Sequence, residues 1–274
     1  MRRLAFGVAI VLAIVAVAAI VQLRAARKAD DLKQHHAKQR ADRIEELYED
    51  LIAPTPTLIL TGQKSISHIF SPAVRGRVTP VGQFHDAEAV NEYFFGLAAT
   101  PTTHAVDVEI QSLTVSGDKV AIEVDIRFLR ADSTTFTLRQ TGFFTFDQTD
   151  RVTSFDLSIL NLGAAVNART NEEREASIQG LCAALTGVIQ NQPALCSGEY
   201  AGANAKQQFA SCVQFMHSIP YGTWDRANSN TVVCRQLHTL LTPYRPDVHC
   251  PHAGPTGGHA CVDFTYESFF DDEF

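Results

Sequence analysis

Apolar and polar residues alternate through much of positions 106–159, and this pattern decides the fold class of the 274-residue chain. The clearest run is Val120–Phe128, with an apolar residue at almost every second position. Such alternation predicts half-buried antiparallel strands, and turn residues at Ser116–Asp118 and Asp147–Asp150 separate the runs. The phase of the alternation changes between Ile110 and Leu113, which predicts a β-bulge. One face of a long antiparallel sheet therefore needs a second layer to cover it.

Three helical segments precede these strands and can supply that layer. The first ends in an apolar stripe at helical spacing, made of Ile44, Leu47, Tyr48 and Leu51. The second is Gln63–Phe70, and the third is Asp86–Ala99, with Asp86 as its predicted N-cap. Helices followed by consecutive long strands predict an α+β fold, in which helices lie on a curved antiparallel sheet.

Two segments of this region resemble a known family. They are Gly82–Phe94 (GQFHDAEAVNEYF) and Arg151–Asp156 (RVTSFD). Both are similar to the NTF2-like superfamily, and within it to the SnoaL-like and ketosteroid-isomerase-like proteins, over about residues 40–165. The resemblance implies a cone-shaped sheet around an apolar pocket. It implies no single activity, because this fold hosts isomerases, cyclases, dehydratases and proteins without catalysis.

The acid/base residues of such enzymes are poorly matched here. Val74–Pro80, where the resemblance places the isomerase base, contains no Asp or Glu. Asp156 stands near the acid/base position of SnoaL-like cyclases, but it alternates with Phe155 and Leu157. If those two face the core, Asp156 faces solvent. Asp156 and His104 are thus the catalytic candidates of an enzyme alternative, and we favour a solvated Asp156.

Four polar residues share the phase of the apolar sets and are the predicted ligand-binding residues. They are Tyr48, Tyr93, His104 and Gln140. The alternative for each is a buried polar group that backbone or water satisfies. A pocket with this lining would bind an apolar ligand through few polar contacts.

The N-terminal residues predict a membrane helix. Leu4–Leu23 has Gln22 as its one polar side chain and would reach about 30 Å as a helix, enough for a bilayer core. Residues 1–23 are therefore interpreted as a signal anchor, 24–43 as a solvated stalk helix and 44–165 as the NTF2-like domain. The alternative is a cleaved signal peptide, which would leave a secreted protein.

The remaining segment, 170–274, is interpreted as a small cysteine-rich helical module, because all six cysteines lie at or after Cys182. An even number of clustered cysteines predicts disulfides and places the body outside the cytosol: in the secretory pathway, at the cell surface or in a periplasm. Six cysteines allow fifteen pairings. The shortest loops favour Cys182–Cys196, Cys212–Cys234 and Cys250–Cys261.

Three histidines near the end of the chain raise the question of a metal site. His249, His252 and His259 could supply three zinc ligands. Against this, the His-x-x-His pair falls in a segment predicted to be an irregular loop, and a bond between Cys250 and Cys261 would remove two thiolates. The pattern favours a disulfide-closed structural loop, and we expect no metal and no cofactor.

The charge distribution limits the partners. The net charge of −7 divides into a basic end, with 8 basic and 2 acidic residues in 1–40, and an acidic body with 15 against 28. An acidic body argues against nucleic acid. The expected partners are the membrane, a small apolar ligand, and a second copy or a membrane complex.

No G-x-S-x-G, HExxH or G-x-x-x-x-G-K motif is present. The sequence therefore predicts a membrane-anchored extracytoplasmic protein for ligand binding or assembly. A SnoaL-like cyclase, isomerase or dehydratase is the first alternative, and a metal-dependent hydrolase at the three histidines is the second.

Overall fold

A mixed sheet lies at the centre of the computed structural model, which describes residues 2–100, 102–189 and 192–264, without the side chains of 2–19. Its strands are β1 (Phe70–Thr79), β2 (Gly82–Phe84), β3 (Ala99–Thr100), β4 (Thr103–Ser116), β5 (Lys119–Arg130), β6 (Thr135–Phe146) and β7 (Val152–Ile159). Within the described chain the strand order is β2-β1-β7-β6-β5-β4-β3. Neighbouring strands are antiparallel except β1 and β7, which run parallel.

The helices are α1 (Arg2–Glu49), α2 (Thr55–Leu60), α3 (Ala87–Asn91), α4 (Leu162–Val166), α5 (Asn171–Thr186), α6 (Ala205–Ser218), α7 (Val232–Leu241) and α8 (Pro246–Ala253). A π-helical turn, Glu92–Gly96, continues α3. The Asp86 side chain accepts a 2.7 Å hydrogen bond from the Ala89 amide, so the predicted N-cap is confirmed.

Alternation along the strands creates the core. In β5, Val120, Ile122 and Val124 are buried, and they pack with Ile44 and Leu47 from the end of α1. The predicted α+β architecture, with helices on a largely antiparallel sheet, is therefore confirmed. The predicted bulge is confirmed as well, because the β4–β5 register shifts between Ile110 and Ser112.

The long helix α1 changes character along its length. Residues 20–35 are exposed, but from His36 onward the helix packs on the β6–β7 turn. Both His36 Nδ1, at 2.6 Å, and Arg40 Nε, at 2.7 Å, contact the buried Asp150 carboxylate. The prediction of a solvated stalk over 24–43 is thus wrong for its second half, because the turn between two strands reaches the helix there.

Most of the predicted membrane segment, residues 1–19, lies outside the described side chains. Among the helices that the structure does describe in full, none is both long and apolar enough to span a bilayer.

The C-terminal region is mainly helical and carries three disulfides, as predicted. The bonds join Cys182–Cys212, Cys196–Cys250 and Cys234–Cys261. The shortest-loop pairing, Cys182–Cys196, Cys212–Cys234 and Cys250–Cys261, is therefore wrong. The physical reason is that cysteines on the inward faces of packed helices meet their neighbours across the helix interface, as Cys182 of α5 meets Cys212 of α6.

This helical region also packs on the sheet. Val233 and Leu237 of α7 belong to the same buried cluster as the strands. A second contact fixes the connection, since the Gly163 amide donates a 3.0 Å hydrogen bond to Asp225 Oδ1. Side chains from the helical region therefore help to form the cavities described below.

Peptide mapping tests this architecture. Digestion of the oxidised protein without reductant should release linked peptides that contain Cys182 with Cys212, Cys196 with Cys250 and Cys234 with Cys261. Mass spectrometry detects them, and the same digest after reduction is the control. Peptides that link Cys250 to Cys261 would contradict the packing of α7 and α8.

Candidate functional site

A cavity of about 280 Å³ opens between the sheet and the helices, and we name it the cone cavity. Its walls are mostly apolar and include five aromatic residues. Those aromatic residues are Tyr93, Phe94, Phe128, Phe136 and Trp224. No charged residue lines it in the part of the chain that the structure describes. The polar residues that line it are Gln140, Tyr93 and three threonines, Thr100, Thr102 and Thr103.

A hydrogen-bonded chain connects three of the predicted ligand-binding residues. Tyr48 lies on α1, Gln140 on β6 and Tyr93 on the π-helical turn. The Tyr48 hydroxyl donates to Gln140 Oε1 at 2.6 Å, and Gln140 Nε2 donates to the Tyr93 hydroxyl at 2.8 Å. All three side chains are buried, with exposures of 0%, 3% and 7% for Tyr48, Gln140 and Tyr93.

Burial fixes the direction of this chain. Tyr48 is fully enclosed, and its hydroxyl proton needs an acceptor, which the Gln140 carbonyl oxygen supplies. The amide nitrogen of Gln140 then faces Tyr93, whose oxygen must accept. Reversing the amide would leave the Tyr48 proton buried without an acceptor. Tyr93 therefore keeps its own proton, and no described residue accepts it.

Both phenols stay protonated. Burial raises the pKa of Tyr48 well above its usual range. Burial also raises the pKa of Tyr93, although the hydrogen bond from Gln140 acts in the opposite direction. Tyr93 is consequently a neutral O–H donor in the wall of a mostly apolar cavity.

The other predicted residues lie elsewhere. His104 sits on β4 opposite Leu129 of β5, outside the residues that line the cone cavity. Asp156 is on the outer face of β7, where it pairs with Arg77 at 2.6 Å and its side chain is 46% exposed. Phe155 and Leu157 on either side of it are buried, so Asp156 points away from the core.

A second cavity of about 650 Å³, which we name the histidine cleft, lies on the other side of the π-helical turn. Two adjacent residues of that turn line different cavities. Tyr93 lines the cone cavity, and Glu92 lines the histidine cleft. π-Helical turns occur frequently at functional sites. Val81, Leu97 and Leu237 border both cavities.

Three imidazoles converge in the histidine cleft. His238 comes from α7, and His249 and His252 come from one face of α8. The Nδ1 atom of His238 lies 3.0 Å from His249 Nδ1 and 3.3 Å from His252 Nδ1. These three residues form a group whose nitrogen atoms lie within 4.8 Å of one another. They are the described residues best placed to hold a metal ion, because Cys234 and Cys261 beside them form a disulfide.

The buried Glu92 carboxylate anchors this group. It pairs with Arg245, whose Nε lies 2.7 Å from Oε1, and it lies 3.2 Å from His249 Nε2. Burial acts to raise the pKa of Glu92, but hydrogen bonds from His249 and Arg245 outweigh burial and hold it below its usual value. Glu92 is therefore an ionised acceptor.

The structure changes the sequence-based view of the histidines. His249 and His252 belong to a helix that begins with Pro246, so the prediction of an irregular loop is wrong there. His259 lines the histidine cleft from a short 3₁₀ turn but stands outside the converging group. Sequence reasoning missed His238 and Glu92. The sequence did contain a signal for His238: it lies four residues after Cys234, which places both residues on the same face of a predicted helix.

Comparison with known proteins gives a family. The model for the BfoA N-terminal domain matches residues 45–157, and the model for the BfoA family C-terminal domain matches residues 154–264. The chain carries both domains of the BfoA family. The two models meet within β7, so the BfoA N-terminal domain supplies Glu92 and Tyr93, and the BfoA C-terminal domain supplies the three histidines.

Two curated relatives from Aspergillus are similar over most of their length. One is the bifonsecin B biosynthesis cluster protein A of Aspergillus brasiliensis, 28% identical over 72% of this chain and 71% of its own. Another is the aurasperone B biosynthesis cluster protein A of Aspergillus niger, 28% identical over 72% of this chain and 69% of its own.

Some solved structures are similar to part of the chain. A protein with a ketosteroid isomerase-like fold from Catenulispora acidiphila is 14% identical and covers 42% of this chain and 82% of its own, with a TM-score of 0.34. An NTF2-like protein from Burkholderia pseudomallei is 15% identical and covers 44% of this chain and 91% of its own, with a TM-score of 0.34.

A double-mutant cycle tests the hydrogen-bonded chain. Gln140→Leu should lower the free energy of unfolding by about 1–3 kcal/mol, because it leaves the buried Tyr48 hydroxyl without an acceptor. Adding Tyr48→Phe removes that orphaned group, so the double variant should lose less than the sum of the two single changes. Urea unfolding of the oxidised protein measures each value. Strictly additive losses would contradict the chain.

Proposed function

We propose that this protein binds a small, flat, apolar ligand in the cone cavity and orients it through an oxygen atom that accepts a hydrogen bond from Tyr93. The observation that carries the proposal is the unused Tyr93 proton, fixed in direction by Tyr48 and Gln140 at the wall of an apolar cavity. A carbonyl oxygen is the acceptor that such a donor suits best.

The size and lining of the cone cavity support a small neutral ligand. The cavity volume of about 280 Å³ lies at the small end of ligand cavities. The aromatic side chains of its wall suit a planar molecule. A charged ligand would lose its hydration without a counter-charge among the described lining residues. Burial of apolar surface therefore supplies the affinity, and the Tyr93 hydrogen bond supplies the orientation.

The relatives support a ligand from biosynthesis. Two similar proteins are named for the bifonsecin B and aurasperone B biosynthesis clusters. We extend this association to the present chain: its ligand is an intermediate or product of a biosynthetic cluster that carries an oxygen on an apolar skeleton.

A SnoaL-like cyclase, isomerase or dehydratase is the second candidate. The Tyr93 donor favours it, because the same hydrogen bond that orients a carbonyl also stabilises an enolate oxygen. An enzyme of this type needs a base as well, and neither Asp156 nor His104 lines the cone cavity. Ligand binding is for this reason the first candidate.

The proposal also includes the place of action. Three disulfides support an oxidising compartment, and the apolar segment 4–23 supports a membrane anchor at the N-terminus. Extraction of cell membranes at alkaline pH tests the anchor: the full chain should stay in the pellet. Release of an intact chain into the supernatant would contradict it.

A matched pair of probes tests the ligand proposal. Fluorenone and fluorene have the same fused skeleton, and only fluorenone carries a carbonyl oxygen. The protein should bind fluorenone more tightly, and Tyr93→Phe should weaken fluorenone binding by about 3–10-fold, the value of one hydrogen bond. The affinity for fluorene should stay the same. Tryptophan fluorescence titration, with Trp224 in the cavity wall, measures both.

A change in the cavity lining is the control. Thr103→Phe fills space in the cone cavity without adding a second tryptophan and should weaken both probes equally, while circular dichroism shows that the fold is kept. The proposal would be contradicted if Tyr93→Phe weakened fluorene as much as fluorenone. If the wild-type protein cyclised, isomerised or dehydrated an aromatic ketone, that result would favour the enzyme alternative.

A further inference from the structure

We propose that His238, His249 and His252 bind a zinc ion through their Nδ1 atoms at the wall of the histidine cleft. The site is separate from the cone cavity and does not depend on the ligand proposed above.

The spacing of the nitrogen atoms fits a shared metal ion. Two ligand nitrogens at the usual zinc distance of about 2.0–2.1 Å stand roughly 3.3 Å apart in tetrahedral geometry. The Nδ1 atom of His238 lies 3.0 Å and 3.3 Å from the Nδ1 atoms of His249 and His252. A hydrogen bond explains one such contact, because one N–H points at one acceptor, but it leaves the second contact unexplained.

The outer hydrogen bonds leave Nδ1 of His249 available. A carboxylate oxygen accepts hydrogen bonds, so His249 Nε2 is the donor in its 3.2 Å contact with Glu92. The other ring nitrogen, Nδ1, faces His238 and is the atom available to a metal ion. A carboxylate behind a histidine ligand is the usual outer partner of a metal-bound imidazole.

Arg245 in turn holds Glu92, at 2.7 Å from its Nε atom. The position of the His249 ring is therefore fixed by an ion pair that a simple packing role would not require.

The chemistry of the group favours zinc and leaves room for a further ligand. Three imidazoles match the protein ligands of zinc sites that keep one position for water or a substrate oxygen. All three histidines line the histidine cleft of about 650 Å³, so a fourth ligand would come from that cleft. Glu92 belongs to the BfoA N-terminal domain and the histidines to the BfoA C-terminal domain, so the metal would also strengthen the contact between them.

Zinc titration of the full oxidised chain tests the site. After dialysis against a chelator without reductant, calorimetry with zinc chloride should give one ion per chain. His238→Gln and His252→Gln should each abolish stoichiometric binding. His259→Gln is the matched control, because His259 lines the same cleft outside the group, and it should bind like the wild type.

The disulfides must stay intact in this experiment. Reduction would free Cys234 and Cys261, which with His238 form a rival group of metal ligands. X-ray absorption spectroscopy of the zinc-loaded wild type identifies the ligand atoms directly, so it tests the site even if a variant does not fold. It should show nitrogen ligands of the imidazole type and no sulfur.

Several results would overturn the proposal. They are zinc binding below one ion per chain in the oxidised wild type, sulfur among the ligands, or loss of binding in His259→Gln with binding kept in His238→Gln. Sulfur ligands would move the metal to the rival group of Cys234, His238 and Cys261, and either of the other results would leave the three histidines as a hydrogen-bonded cluster.

Discussion

The buried carboxylate of Glu92 is the group on which both candidate sites depend. An unpaired charge at this depth would cost several kcal/mol, and Arg245 and His249 supply the compensating contacts from the C-terminal helices. The ion pair fixes α8 against the π-helical turn. Because the next residue of that turn is Tyr93, the same contact also holds the hydroxyl that faces the cone cavity.

The π-helical turn separates two different kinds of chemistry. On one side, mostly apolar walls include the Tyr93 O–H group, whose direction the hydrogen-bonded chain fixes, and this suits orientation of a neutral molecule. On the other side, imidazoles and an ionised carboxylate surround a wider cleft, which suits a metal ion or a polar ligand. The two cavities share Val81, Leu97 and Leu237 as walls, so occupation of one can influence the shape of the other.

Several patterns within a single element carried over from sequence to structure, whereas the helix predicted over Gln63–Phe70 is a run of turns and bends that leads into β1. The alternation of β5, the stripe at the end of α1 and the Asp86 cap each depend on local spacing, and each predicted the observed element. The phase of Gln140 in β6 placed its side chain on the buried face. Contacts between elements did not follow from sequence. Disulfide pairing, the approach of His238 to α8 and the burial of Glu92 depend on how helices pack, which residue spacing along one chain does not specify.

A crystal structure of the oxidised protein with fluorenone tests whether the cone cavity is a ligand site in which Tyr93 orients the ligand. We expect fluorenone between the aromatic walls, with its oxygen at a hydrogen-bond distance of about 2.5–3.0 Å from the Tyr93 hydroxyl and with Gln140 still bonded to Tyr48. Fluorenone in the histidine cleft, or in the cone cavity with its oxygen turned away from Tyr93, would contradict it.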